Sequence, residues 1–260
     1  MNYKCIIVQK EESYAIIYLN RPPVNAVNET MLRELLNAFD KFEHDESVRS
    51  IIITGMGSKA FCAGVELSQK DNFGQESGKT MRELGRSIVN RIELFPKVVI
   101  AAVNGWCIAG GTGIAWPCDI RIAAESAKFR AADTYLGMLP SWGLGLVRMV
   151  HYVGRNKLLD FMVLGETFNG EQAVAYGIAS KVVPDGQLME EAKTVARRVA
   201  KSSPLAMKYM KKAVALSYQG TFAEAKAGEE EVCALVNNSE DCAEGLKAFM
   251  EKRDPVFRGR

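Results

Sequence analysis

Ala60-Phe61-Cys62-Ala63-Gly64-Val65-Glu66-Leu67 and Val103-Asn104-Gly105-Trp106-Cys107-Ile108-Ala109-Gly110-Gly111-Thr112-Gly113 decide how this chain is read. Each stretch follows a β-branched apolar run, and each ends where a helix can start. A helix start leaves main-chain N–H groups without an intrahelical acceptor. If two such loops face one point, their amides can hold an oxygen that gains negative charge during a reaction, the arrangement called an oxyanion hole.

Working outward, the runs before the two loops, Val48 to Thr54 and Val98 to Val103, are too apolar to face water and predict buried strands. Upstream, residues 3–9 and 14–19 predict an opening hairpin around Lys10-Glu11-Glu12-Ser13. Met31, Leu35, Leu36, Phe39 and Phe42 recur at helical spacing behind Asn28, a plausible N-cap. Residues 81–95 predict a second helix, and Ser68 to Lys79, polar and without apolar period, a mobile loop. A helix opening at Gly111 and a strand over Ile120 to Ala124 follow. Strands alternating with helices in this way call for an α/β fold with parallel strands. Beyond residue 144 the pattern is mostly helical. The amphipathic segments Leu188 to Lys201 and Ala206 to Tyr218 have little sheet left to cover and suit packing on neighbouring subunits.

Composition excludes several classes. A chain of 260 residues, 48% of them hydrophobic, can bury a large core. Its 33 basic and 31 acidic residues leave a net charge of +2, with no basic block interleaved with aromatics, which argues against a nucleic-acid surface. The six cysteines lack CxxC spacing, so free thiols in a reducing cytoplasm are expected rather than a metal site or disulfides. No leader and no membrane span are legible. With only two histidines and no GxSxG, a Ser-His-Asp hydrolase lacks its parts. The run Gly110-Gly111-Thr112-Gly113 fails the dinucleotide fingerprint at Trp116.

The same residues resemble the crotonase superfamily, the enoyl-CoA hydratase/isomerase family, over nearly the whole chain. Leu19 to Val27 is similar to that family's opening turn, Ala60 to Leu67 to its first oxyanion loop, and Phe95 to Gly105 to the approach to its second. Phe129, Gly137, Pro140, Gly143, the segment Asn169 to Ala179 and the tail Glu244 to Arg253 also match. The resemblance implies a spiral of ββα units over residues 1–195 and a helical trimerisation region over 196–260. It implies an acyl-CoA thioester as substrate, no cofactor beyond the coenzyme A moiety, no metal, and a homotrimer or dimer of trimers. The amides of Ala63 and Gly110 are then expected to hold the thioester oxygen. Ala26, Cys62, Gly64, Val65, Gly111, Gly113, Pro140, Ser141 and Trp142 are expected against the substrate, and the basic tail from Phe249 to Arg260 near the phosphates.

Hydratases of this family use two glutamates, and here the resemblance places Gly113 at the first position and Asp133 at the second. Gly113 cannot carry a proton. A single carboxylate beside an oxyanion hole can take a proton from one carbon and return it to another, which is double-bond isomerisation, so Asp133 is the expected acid/base. Pro117 removes the amide that would bond the Gly113 carbonyl, which predicts a short or bent helix there and a small pocket beneath the acyl chain. Hydration with a relayed proton, decarboxylation, carbon–carbon cleavage and a weakly catalytic thioester binder remain alternatives. Glu66 reads as a carboxylate at a helix start. Cys62 and Cys107 read as small buried hydrophobes, His44 as part of a solvated helix end, and His151 as a residue that matters only if the fold turns it inward.

Overall fold

The structure, a computed structural model, describes residues 3–66, 75–131, 133–140, 146–218 and 220–260, with residues 75–78 as backbone only. The strands β1 (Ile6–Lys10) and β2 (Tyr14–Leu19) form the expected antiparallel hairpin. Helix α1 (Glu29–His44) starts where the sequence indicates, because Asn28 Oδ1 accepts the Met31 N–H at 2.8 Å. It buries Met31, Leu32, Leu35, Ala38, Phe39 and Phe42.

From here the chain winds in a repeating unit. One strand enters a main sheet, the next enters a second sheet, and a helix or turn returns the chain. β3 (Ser50–Gly55), β5 (Val98–Val103) and β7 (Ile120–Ala124) go to the main sheet; β4 (Ala60–Cys62), β6 (Trp106–Ile108) and β8 (Lys128–Arg130) go to the second. Helix α2 (Gln75–Glu93) lies between β4 and β5, and α3 (Gly110–Ala115) between β6 and β7. α4 (Met149–Leu164), β9 (Thr167–Asn169), α5 (Gly170–Ala175) and β10 (Lys181–Val183) complete the turns. The six-stranded sheet has the order β1-β2-β3-β5-β7-β10 and the four-stranded one β4-β6-β8-β9. This is the crotonase spiral of ββα units. β3 and β5 are buried at every residue, as parallel strands covered on both faces must be, with Ile52 opposite Ile100.

Two helices depart from the sequence reading. α2 begins at Gln75, six residues before the expected 81. The apolar face that fixes it, Met81, Ile88, Val89 and Ile92, starts only at 81, but a helix once nucleated extends at little cost through polar residues. Of the expected mobile loop, Ser68 to Lys79, residues 68–74 lie outside the described residues and 75–79 are helical. The second departure is α6 (Leu188–Ala200), which does find sheet to cover. Leu188, Ala192 and Ala196 are buried on it and it packs against β3, β5 and β7, so residue 195 falls within a helix of the core.

Beyond it, α7 (Pro204–Leu216), α8 (Phe222–Asn237) and α9 (Glu240–Glu251) form the helical region. Ser203 caps α7, donates its hydroxyl to Asp241 Oδ2 at 2.7 Å, and so ties α7 to α9. The buried Asp241 also accepts the main-chain N–H groups of Arg258 at 2.7 Å and Gly259 at 3.1 Å, folding the tail back on α9. Replacing Asp241 by Ala strands these donors, and urea unfolding should show a loss of about 2 to 4 kcal/mol. Arg253 pairs with Glu244 at 2.6 Å and Glu251 at 2.7 Å, and Arg260 with Glu240 at 2.9 Å. Two of the four tail cations expected near substrate phosphates, Arg253 and Arg260, are thus paired with acids of the chain's own last helix. Among the described residues, no helix is long and apolar enough to cross a membrane.

Candidate active site

Three neighbouring parallel strands of the small sheet, β4, β6 and β8, end side by side. The residues that follow them are the ones singled out in sequence: Ala63 to Val65 after β4, Gly110 and Gly111 after β6, and Asp133 after β8. Carboxyl ends of adjacent parallel strands are where ligand sites form in α/β sheets.

The two amide loops touch. Cys62 pairs with Cys107 across β4 and β6. Gly64, at φ +89°, lies so near the second loop that a Cβ there would stand 3.0 Å from the Ile108 carbonyl oxygen and 3.5 Å from the Gly110 nitrogen. Gly111 is tighter still: a Cβ would come within 2.1 Å of the Cys62 carbonyl oxygen. Only glycine permits this approach at either position. Ala109, just before the helix, is held at φ +45° and ψ −110° and donates its N–H to the Arg130 carbonyl at 3.0 Å. Such backbone strain concentrates at functional sites. Within α3 the first i to i−4 bond runs from Gly113 N–H to the Ala109 carbonyl at 3.1 Å, which leaves the Gly110 and Gly111 amides outside the helical ladder. The helix is six residues long and stops before Pro117, as the sequence predicts.

The opening turn braces the first loop. Arg21 donates to the Ala26 carbonyl and pairs with Glu66 at 2.6 Å, and buried Asn25, at φ +53°, donates to the carbonyls of Met56 and Ala60. Among the described residues the Glu66 carboxylate pairs with Arg21; whether a helix starts just after it falls on residues 67–74, outside the described residues. The brace also sorts the amides. Ala63, the expected first donor, gives its N–H to the Val24 carbonyl at 3.0 Å. Val27 N–H donates to the Gly64 carbonyl at 2.7 Å, and Glu66 N–H to the Val27 carbonyl at 3.0 Å. Because peptide groups alternate sides along an extended segment, the Val65 N–H points to the other edge, where the second loop runs.

Asp133 opens a single 3₁₀ turn, Asp133–Leu136. That turn is fixed from behind by the end of α4: Thr134 Oγ1 donates to the Met162 carbonyl at 2.7 Å and the Tyr135 hydroxyl to the Leu164 carbonyl at 2.9 Å. Asp133 Oδ2 is buried and has no hydrogen-bond partner among the described residues. Burial pushes its carboxyl above the usual aspartate value, opposed only by its own main-chain N–H. A half-buried aspartate with one oxygen buried and unpartnered among the described residues, a raised pKa, and a place just past the end of β8 has the marks of an acid/base group.

The remaining expected residues separate. Gly113 is buried in α3, and Ala26 presents its carbonyl to Arg21. Pro140 is partly buried; Ser141, Trp142 and Gly143 lie outside the described residues. Cys62 is buried and its thiol is pushed up to about 12 by burial, with that of Cys107 raised by the same cause, so neither is a thiolate nucleophile. His44 ends α1 exposed, and His151 is exposed on α4 with its ring 5.2 Å from Tyr218. Arg21 and Arg121 escape a reading based on motifs. The signal for Arg121 is a cation inside the apolar run Ile120-Arg121-Ile122.

A family model described as enoyl-CoA hydratase/isomerase matches residues 9–260. The chain is 35% identical over 258 residues to a crotonyl-CoA hydratase of Syntrophomonas wolfei, covering 99% of each chain. It is 34% identical to a short-chain-enoyl-CoA hydratase of Clostridium acetobutylicum, covering 97% of each. The crystal structure of an enoyl-CoA hydratase from Bacillus anthracis superposes with a TM-score of 0.94 at 32% identity, covering 99% of this chain and all 100% of the other. Spiral, loop contacts and sequence thus agree: the chain belongs to the enoyl-CoA hydratase/isomerase family of acyl-CoA enzymes.

Proposed function

We propose that the amides of Val65 and Gly110 hold the thioester oxygen of an enoyl-CoA, and that the Asp133 carboxylate moves the proton. The contact of Gly64 with Gly110, together with an Asp133 carboxyl oxygen that is buried and unpartnered among the described residues just past the neighbouring strand β8, supports this reading. It transfers the donor role from Ala63, whose N–H is held by Val24, to its neighbour but one.

Asp133 removes a proton from the carbon beside the carbonyl. The electron pair of that C–H bond passes to the thioester oxygen, where two preorganised donors stabilise the enolate. Returning the proton to the far carbon of the conjugated system shifts the double bond. Hydration uses the same donors on a different enolate: water adds to the far carbon of the double bond and gives up a proton to the carboxylate, the electron pair of the double bond passes to the thioester oxygen, and a proton returned beside the carbonyl completes the addition. With glycine at 113, Asp133 or the Gly113 carbonyl, freed by Pro117, must position the water. Gly113 is also what keeps decarboxylation, carbon–carbon cleavage or weak catalysis as a second reading. The exposed Leu136 and Leu139 beside Asp133 suit an apolar acyl group.

No cofactor is proposed beyond the substrate's coenzyme A. The apolar side chains left bare on the last helices, Phe222 at 86%, Phe249 at 84% and Met250 at 75% exposure, support assembly into a homotrimer or dimer of trimers. A cytoplasmic setting suits the free cysteines and the thioester substrate.

Mass-spectrometric product analysis in deuterated water, against enoyl, dienoyl, cyclic and aryl-propenoyl thioesters, tests the reading. Deuterium is expected on the far carbon of the shifted double bond, in a product of otherwise unchanged mass, for isomerisation, or beside the carbonyl, in a product one heavy water heavier, for hydration. Thioester binding without deuterium uptake would leave only an inert binder.

A further inference from the structure

We propose that Arg121 is a positioning residue for the Gly110 amide, acting from the far end of α3; this rests on the oxyanion reading above. Arg121 is 8% exposed, in the middle of β7. Its guanidinium donates to three main-chain carbonyls: Trp116 at 2.9 Å, Cys118, and Ile178. The Tyr152 ring lies against it, 5.2 Å from centroid to Cζ. Among the described residues no carboxylate forms an ion pair with it; Asp119 is occupied by Lys211 at 2.7 Å and the Val99 amide at 2.8 Å.

A buried cation held by carbonyls alone needs a reason, and the reason lies in which carbonyls they are. Trp116 is the C-cap of α3 and Cys118 follows it. These are carbonyls that the helix, cut off by Pro117, cannot bond internally. Ile178 follows α5, so the guanidinium faces the carbonyl-rich, electronegative ends of two short helices. Its opposite end is the glycine pair of the site.

α3 is packed in the core from Gly111 to Trp116, and Ala109 N–H bonds the Arg130 carbonyl ahead of it, but it has few other polar anchors. At its front, Ala109 supplies no side-chain cap, and the fit of Gly111 against Cys62 constrains position without a hydrogen bond. At its back, the Trp116 ring is buried, its indole nitrogen without a hydrogen-bond partner among the described residues. A six-residue helix moves as a unit. If its last carbonyls shift, the Gly110 N–H turns relative to Val65, and the two donors no longer converge. Three carbonyls arriving from two stretches, the end of α3 and the chain after α5, suit the fixed fork of a guanidinium and not the single ammonium of lysine.

The test combines kinetics with the absorbance of a bound aryl-propenoyl thioester bearing an electron-donating ring substituent. Its red shift on binding reports how strongly the donors polarise the carbonyl. The wild-type enzyme should show the shift. Arg121→Lys should show a smaller one and a kcat lowered roughly tenfold, a part of the hundred- to thousandfold that follows outright loss of an oxyanion donor. KM should stay unchanged, since only the transition state gains from the alignment. Tyr152→Leu, at a position 37% exposed, keeps the guanidinium and loosens it, and should move both readouts the same way by less. It keeps the test open should Arg121→Lys not fold. An unchanged red shift and kcat in folded variants, with only the melting temperature lowered, overturns the proposal. Absence of the shift in the wild-type enzyme overturns the oxyanion reading and this inference with it.

Discussion

Asp133→Asn should abolish turnover almost completely, by about a hundredfold to ten-thousandfold in kcat, while thioester binding persists. The same substitution should raise the melting temperature at neutral pH. Asp133 Oδ2 is buried and unpartnered, and burial raises its carboxyl above the usual value. For a carboxyl raised on folding, the stabilising contribution is present below the unfolded-state pKa and is lost as pH rises through the folded-state pKa. At neutral pH the ionised side chain therefore works against folding, and a neutral amide relieves that cost. Activity follows the opposite sign, because the base must be ionised. The acid limb of the kcat/KM profile should fall at a pH above the usual aspartate range. Retained turnover, or a melting temperature lowered by the substitution, would remove Asp133 from the mechanism.

Gly111→Ala should be nearly as damaging. The added methyl would sit 2.1 Å from the Cys62 carbonyl oxygen, a main-chain atom that cannot swing aside. Either the helix or the first loop must retreat, and the two donors part. A fall in kcat of roughly a hundredfold is expected, the scale seen when one oxyanion donor is lost. Gly186→Ala provides the control, because nothing lies within 4 Å of a Cβ at that position. Circular dichroism of both variants separates misfolding from misalignment, and equal kcat in the two would show that the loop contact has no part in catalysis.

Much of the scaffold is legible because it depends on local rules. Apolar β-branched runs place β5 and β7 to the residue, and the Asn28 cap fixes the start of α1. Asp133 and the two loops are legible too, through their resemblance to a known family. What stays hidden depends on distant pairings. Whether Ala63 or Val65 faces the substrate is set by the left-handed turn at Gly64 and by bonds to Val24 and Val27, and spacing says nothing about either. The carbonyls that gather around Arg121 come from α3, its following turn and the end of α5, which only the folded spiral brings together. The start of α2 is missed because propagation through polar residues leaves no periodic trace, and the sheet beneath α6 because helices after residue 144 look alike in pattern.

The sorting of successive strands into two sheets has one more effect. Cohesion resides in the wide layer, with its long apolar strands, whereas the reacting groups hang from three strands of three residues each in the narrow one. The core-facing side chains of the short strands, Phe61, Cys107 and Phe129, pack into the same cluster as the wide layer, so it is the loops beyond them that can vary without loosening it. A lineage built on this plan is free to change the chemistry it performs on thioesters while its thermal endurance stays where it was.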